Sequence, residues 1–186
     1  SGALVAAVFL RYLEKAGDFK DELKDLTMER IQNLKSCLGG LEGHFHGVSS
    51  GIDPLSIIIN KPLLLKSNKE IIKADIPAYN ENGENFIFLL NTQMARNSEK
   101  LIQRFNSACE EKEFKKKLEK DLIEFTNAGI NDFINGNTKS FYVNLEKLVK
   151  FQLKEMDYLI PKKYQSKVQQ GLDTQDYFLK ICGSGG

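Results

Sequence analysis

The residues best suited to chemistry lie in one stretch, residues 41–54, which reads LEGHFHGVSSGIDP. It holds the carboxylates Glu42 and Asp53, the imidazoles His44 and His46, and a turn rich in glycine and serine. Two carboxylates that converge can divide a reaction, one binding a cation while the other accepts a proton. The residues alone equally allow a solvated glutamate and an aspartate that caps the next helix.

The elements around this stretch are predicted to bring the two carboxylates together. Thr27 is a good helix cap, and apolar residues at helical intervals follow it, so Glu42 is expected near the far end of that helix. Gly51 permits backbone angles that a side chain forbids, and Pro54 is expected to keep the preceding residue out of a helix. We therefore expect Glu42 and Asp53 to approach one pocket from a helix end and a following turn.

Composition narrows the class of protein. The 186 residues carry 26 Lys and Arg against 25 Asp and Glu, and the net charge of +1 gives no global attraction to nucleic acid or to an anionic membrane. No apolar run approaches the roughly 20 residues that span a bilayer, so a cytoplasmic protein is predicted. The three cysteines are predicted to be buried, reduced thiols, and the two histidines, one residue apart, are not expected to share a metal.

The chain reads as an α+β protein with helices segregated against a modest sheet. Small residues begin a first helix, where they suit either a bound phosphate or close helix packing, and the helix is predicted to bury Leu4, Val5, Val8, Phe9 and Leu13. Residues 56–77 predict strands, or a short helix followed by strands. The run NFIFLLNT (85–92) predicts a buried strand, and the turn cluster before it predicts a lobe boundary.

The second part predicts mainly helices. They begin near Asn97 or Ser98, near residue 112, near Asn137 or Thr138, and after Pro161, and a final strand is predicted at YFLKIC (177–182) before a glycine turn. A helical scaffold that binds a protein partner is an open alternative for residues 98–157, although charged helical faces are usually solvated.

Three segments resemble parts of mevalonate kinases of the GHMP kinase superfamily, and they occur along the chain in the same order as in that family. The central LEGHFHGVSSGID resembles their stretch of Glu, three residues, His-Gly, two residues and Ser-Gly-hydrophobic-Asp. The opening SGALVAA looks like the end of the superfamily's second motif, a phosphate loop that enters a helix, and the closing KICGSGG looks like the start of its third, glycine-rich motif. MARNSEKL is similar to an Arg-Asn-Thr segment of these enzymes, with Ser98 in place of Thr.

The resemblance implies a role for each matching residue. Asp53 would be the catalytic base, and magnesium would be bound by Glu42 and Ser1. ATP would lie against Ser1, Gly2, Gly183, Ser184 and Gly185. The substrate would contact Ser50, Gly51, Arg96 and Ser98.

The resemblance also implies a two-lobed GHMP-kinase-like fold that lacks its N-terminal strands. Residues 1–83 would be the rest of the N-terminal lobe, and residues 84–186 a mostly helical C-terminal lobe against a small antiparallel sheet, incomplete at its end. Nothing corresponds to the family's first motif, and Val48-Ser49 stands where many members have Asn-Pro. The chain is therefore expected to be the middle of an enzyme and inactive by itself.

The implied activity is ATP- and magnesium-dependent phosphorylation of the primary hydroxyl of mevalonate, in isoprenoid precursor synthesis. The alternatives are phosphomevalonate kinase, diphosphomevalonate decarboxylase, and a non-catalytic module from a truncated kinase. The expected partners are ATP and a small alcohol, without nucleic acid or membrane. The sequence does not indicate the oligomeric state.

Overall fold

The computed structural model describes residues 2–16, 26–67, 70–75, 85–94, 97–183 and 185, with the side chains of Ala16 and His46 left out. The chain divides into two compact units, Ser1–Ile76 and Pro77–Gly186. The expected lobe boundary between residues 83 and 84, like the turn cluster before it, lies almost wholly outside the described residues. The coarse prediction of an α+β protein is confirmed, because helices dominate and one small antiparallel sheet is present.

Among its described residues, the first unit contains three helices and a two-stranded hairpin. The helices are α1 (Gly2–Ala16), α2 (Met28–His46) and α3 (Ile52–Ile59), and the strands are β1 (Leu63–Leu65) and β2 (Ile71–Lys73). The strands pair antiparallel with Leu64 opposite Ile72. Of the two possibilities left open for residues 56–77, a short helix followed by strands is the one that forms.

A single apolar core holds these elements together. Ile31, Leu34 and Leu38 recur along one face of α2 at helical spacing and are buried against residues of the other elements. Those partners are Val5 and Ala6 of α1, Leu55 and Ile58 of α3, and Ile71 of β2. The prediction for α1 is partly wrong, because Leu4 and Val8 are exposed among the described residues while Ala6 is buried.

The second unit is built from helices. They are α4 (Ser98–Cys109), α5 (Lys112–Lys117), α6 (Ile123–Ile134), α7 (Thr138–Glu155) and α8 (Lys162–Thr174). A π-helical turn, Leu118–Leu122, joins α5 to α6, and a short 3₁₀ turn, Asp157–Leu159, follows α7. The predicted cap Asn97 is confirmed, because its side chain accepts a hydrogen bond from the Lys100 amide at 3.0 Å.

Two apolar clusters stabilise this unit. The first contains Phe114 of α5, Phe151 of α7, and Met156 and Leu159 just after α7. The second joins Val149 of α7 to Val168 and Leu172 of α8, and Phe178 and Leu179 pack against it from the final segment.

The final segment, residues 177–182, forms no strand, so that prediction is wrong. Side chains of the helices hold it in place: the Ile181 amide donates to Oε1 of the buried Gln152 at 2.9 Å, and the Tyr177 hydroxyl donates to the Lys167 carbonyl at 2.9 Å. Gly171 lets Tyr177 cross α8, because an added Cβ would lie 2.4 Å from the Tyr177 carbonyl oxygen. Hydrogen bonds to helices here replace those of a sheet.

The run Phe86–Leu90 is the clearest departure from the sequence prediction. It forms no strand, and its five apolar side chains are between 44% and 87% exposed. The segment is fixed near its ends, where the Tyr142 hydroxyl donates to Asn85 Oδ1 at 2.5 Å and Lys163 Nζ donates to the Thr92 carbonyl at 3.0 Å. A buried strand needs a neighbouring strand for its backbone groups, and the described part of this unit contains none.

The cysteine and membrane expectations can also be compared with the structure. All three cysteines are free thiols, but Cys37 and Cys182 are exposed and Cys109 is half-buried, so the prediction of buried thiols is wrong. Within the described ranges, no helix combines the length and the apolar character needed to cross a lipid bilayer.

Replacing both Ile87 and Leu89 with lysine should reduce self-association and the binding of a hydrophobic dye. Contiguous exposed apolar side chains with unpaired backbone favour both processes. Because these side chains are 81% and 87% exposed, the free energy of unfolding should change by less than about 0.5 kcal/mol. Light scattering, dye fluorescence and urea unfolding measure the three quantities.

The matched control places two lysines at Ile123 and Val143, which are apolar residues exposed singly on α6 and α7. This pair should leave association and dye binding unchanged. An equal reduction in both double variants would show that added charge, and not the 86–90 run, is responsible.

Candidate active site

Glu42 lies in the last turns of α2, as the sequence predicts, and is only 6% exposed. The Ser49 hydroxyl donates a hydrogen bond to Glu42 Oε2 at 2.6 Å. A bond of this length is typical of a hydroxyl that donates to a carboxylate, which is stronger than a bond between neutral groups. The carboxylate is therefore held in place by the turn that follows its helix.

That turn, residues 47–51, lies directly on the backbone of α2. Gly51 has a φ of +70° and caps the start of α3. A Cβ at Gly51 would lie 2.2 Å from the Lys35 carbonyl oxygen and 2.7 Å from the Gly39 amide nitrogen. The predicted need for glycine at position 51 is confirmed, and it has two causes: the backbone angles and the lack of space.

Asp53 lies in the first turn of α3 and is exposed. The expectation that Pro54 keeps Asp53 out of a helix is wrong. Both residues belong to the first turn, where proline is tolerated because the backbone amides there have no partner within the helix. The start of a helix favours a negative charge, so the position suits an ionised aspartate.

The start of α1 meets Asp53 from the other side. A Cβ added to Gly2 would lie 2.8 Å from Asp53 Cβ and 3.3 Å from Pro54 Cδ. The beginnings of α1 and α3 are thus adjacent, and only a residue without a side chain fits at Gly2 without displacing Asp53. The absence of a side chain at Gly2 therefore permits close packing of α1 against α3, which is one of the two roles that the sequence allows for small residues here.

Five of the predicted site residues are thus among the described residues of the first unit. Gly2 touches Asp53, and Gly51 begins the helix that carries it. Ser50 is exposed in the turn and accepts a hydrogen bond from the Ile52 amide at 3.4 Å. Glu42 joins them through Ser49. The predicted residue Ser1 lies outside the described residues.

The remaining predicted site residues belong to the second unit. Ser98 is the first residue of α4. Gly183 and Gly185 have φ values of +63° and +83°, so the predicted glycine turn is present at the described positions. A Cβ at Gly185 would lie 2.6 Å from the Leu159 carbonyl oxygen. Arg96 and Ser184 lie outside the described residues.

An apolar cleft of about 170 Å³ lies beside the glycine turn. Its lining comes from α4, the end of α7, the following turn and the glycine segment, and consists of Leu101, Ile102, Phe105, Met156, Leu159 and Gly183.

The first unit offers a buried carboxylate, Glu42, as a ligand for magnesium. No cluster of three or more His, Cys, Asp or Glu side chains that could hold a metal occurs among the described residues. Magnesium in nucleotide sites needs only one or two carboxylates, because phosphate oxygens and waters complete its coordination. The buried carboxylate of Glu42 fits that requirement. The described residues contain no cluster of side chains that would bind the ion without phosphate and water.

Sequence reasoning missed two residues that shape this site. Ser49 was noted only as a departure from the family pattern, yet its hydroxyl contacts Glu42 and also accepts a hydrogen bond from the Gly51 amide at 3.1 Å. Gly39 is the second, because a Cβ there would lie 3.2 Å from the Ser49 carbonyl oxygen. Two adjacent glycines inside the predicted helix, Gly39 and Gly40, were the available signal for a close contact.

This chain matches no protein-family model, no curated protein and no solved structure. The resemblance to the GHMP kinase superfamily therefore stays a prediction that depends on the motif residues.

Replacing Gly51 with alanine should lower the free energy of unfolding by more than about 2 kcal/mol. The methyl group would clash with the α2 backbone, and alanine is strained at a positive φ. Urea unfolding followed by circular dichroism measures the change.

Gly40→Ala is the matched control. A Cβ at Gly40 has no atom within 4 Å, and alanine favours the helix, so this variant should be more stable by about 0.5–1 kcal/mol. Equal stability of the two variants would contradict the close contact at Gly51.

Proposed function

We propose that the protein containing this chain is an ATP- and magnesium-dependent kinase that phosphorylates the primary hydroxyl of mevalonate, with a two-lobed GHMP-kinase-like fold. The observation that carries the proposal is the contact between Gly2, at the start of α1, and Asp53. It adds a spatial argument to the resemblance of the sequence motifs, because the family chemistry needs phosphate and base side by side.

The start of α1 is suited to phosphate. The first amides of a helix lack partners within the helix, and the helix dipole adds positive potential there. A phosphate bound at this end of α1 would lie close to the Asp53 carboxylate, because Gly2 packs so tightly against Asp53 that it has no room for a side chain. Ser1 and Gly2 would then contact ATP, and the sequence resemblance alone assigns Gly183, Ser184 and Gly185 to ATP as well.

The proposed reaction transfers the γ-phosphoryl group of ATP to the substrate hydroxyl. Asp53 accepts the proton of the substrate hydroxyl, and the oxygen attacks the γ-phosphorus of ATP. A bond forms between that oxygen and phosphorus while the bond from the γ-phosphorus to the β,γ-bridging oxygen breaks, which releases ADP. Such a transfer depends mostly on positioning and charge.

Glu42 and Ser1 are proposed to bind magnesium, which spreads the negative charge of the phosphates. Glu42 is buried and oriented by Ser49, so its oxygens are fixed before any nucleotide arrives. Ser50 and Gly51 are proposed to border the substrate because they directly precede the helix of Asp53. Arg96 and Ser98 complete the substrate contacts in the proposal. We also propose a cytoplasmic location.

Asp53→Asn in the full-length protein should reduce turnover by about 10²- to 10⁴-fold, because asparagine cannot accept the proton. ATP binding should stay largely intact, because the proposed task of the Asp53 side chain is to accept the proton of the acceptor hydroxyl. Steady-state kinetics and calorimetric titration with ATP measure the two effects. Asp75→Asn is the matched control, because Asp75 is exposed in the same unit and lies outside the candidate site.

The outcome that contradicts the role of Asp53 is equal turnover in the parent and the Asp53 variant. A parent that binds ATP but phosphorylates no acceptor would instead indicate a non-catalytic module.

A panel of acceptors tests the substrate assignment. The full-length protein should phosphorylate mevalonate and neither phosphorylate phosphomevalonate nor decarboxylate diphosphomevalonate. Product formation is measured by phosphorus NMR, and activity on phosphomevalonate alone would overturn the assignment.

A further inference from the structure

We propose that Ser49 is a positioning residue that couples the magnesium carboxylate to the helix that carries the base. This inference rests on the proposed function, because it assigns Ser49 a task within the same site. The resemblance does not supply it, since many members of the family have Asn-Pro where this chain has Val48-Ser49.

The first part of the argument is the orientation of the hydroxyl. A serine hydroxyl has one proton to donate and lone pairs that accept. The Ser49 proton goes to Glu42 Oε2 at 2.6 Å, and a lone pair accepts the Gly51 amide proton at 3.1 Å. The Ser49 oxygen is the donor in one bond and the acceptor in the other, so it can make both bonds at once.

The second part is what these bonds connect. Glu42 belongs to α2, and Gly51 caps α3, whose first turn contains Asp53. Ser49 therefore joins the carboxylate of one helix to the start of the next through a single oxygen. The turn also lies close to α2 at this point, because a Cβ at Gly51 would lie 2.2 Å from the Lys35 carbonyl oxygen.

The third part is the effect on Glu42. A hydrogen bond to Oε2 restricts rotation of the carboxylate about its last torsion, and that torsion is otherwise broad. Because the carboxylate is planar, fixing Oε2 also fixes the position of Oε1, the other oxygen of Glu42. Groups that orient a metal ligand in this way change metal affinity by about 10- to 100-fold when they are removed.

Ser49→Ala in the full-length protein should weaken ATP binding in the presence of magnesium by about 10- to 100-fold. ATP binding in EDTA should be unchanged, because the hydroxyl acts on the metal carboxylate. Calorimetric titration measures both affinities. Ser49→Thr, which keeps the hydroxyl, should restore the magnesium-dependent part.

A structural readout is independent of nucleotide. The Gly51 amide loses its acceptor in Ser49→Ala, so its hydrogen exchange, measured by NMR, should become faster, and in Ser49→Thr it should stay slow. Ser56→Ala is the matched control: its hydroxyl donates to the Asp53 carbonyl at 2.8 Å on the same helix but does not reach Glu42. That variant should change neither Gly51 exchange nor the magnesium dependence.

The outcomes separate the two proposals. If the parent binds ATP no better with magnesium than in EDTA, the proposed function fails. If the parent depends on magnesium and Ser49→Ala depends on it equally, the function stands and the role of Ser49 is wrong. If Ser49→Ala does not fold, the threonine variant decides, because a threonine variant that folds but lacks the parent's magnesium dependence overturns the coupling.

Discussion

The close approach of the 47–51 turn to the backbone of α2 is the contact on which the candidate site depends. Gly51 and Gly39 face each other across this contact; Gly51 has no room for a side chain, and a Cβ at Gly39 would lie 3.2 Å from the Ser49 carbonyl oxygen. The contact brings the start of α3 against α2, so that Ser49 reaches Glu42 and Asp53 begins a helix beside α1. Two carboxylates that are eleven positions apart in the sequence thus belong to one framework of three packed helices.

The two carboxylates have different surroundings, and the difference is consistent with the roles proposed for them. Glu42 is buried and hydrogen-bonded, which keeps its oxygens in one orientation. Asp53 is exposed at a helix start, where an incoming group can reach it and where negative charge is favoured. A metal ligand benefits from the first environment and a proton acceptor from the second, because the acceptor must contact a substrate that arrives and leaves.

The second unit is held together by helices and by two segments without regular structure. The final segment is fixed by hydrogen bonds from its backbone and its Tyr177 to α7 and α8, whereas the 86–90 run is fixed only near its ends and keeps its apolar side chains in solvent. Apolar residues are expected to be inside, and five in succession outside are unusual for a folded domain. This run is the part of the structure where local sequence preference and environment disagree most.

The sequence by itself determined α1, α2 and the helices of the second unit, because their signals are local, whereas it left α3 as one of two possibilities. Thr27 and Asn97 cap helices through bonds to amides three residues away, and the apolar spacing of α2 selects its buried face. It also placed Glu42 at a helix end and required glycine at position 51.

Only the tertiary structure decided the rest. A strand forms only when a neighbouring strand pairs with its backbone, and local sequence does not show whether such a neighbour is present. The strands predicted at residues 85–92 and 177–182 are therefore wrong. The Ser49–Glu42 bond and the contact of Gly2 with Asp53 likewise join residues from different elements, whose distance is set by packing and not by local spacing.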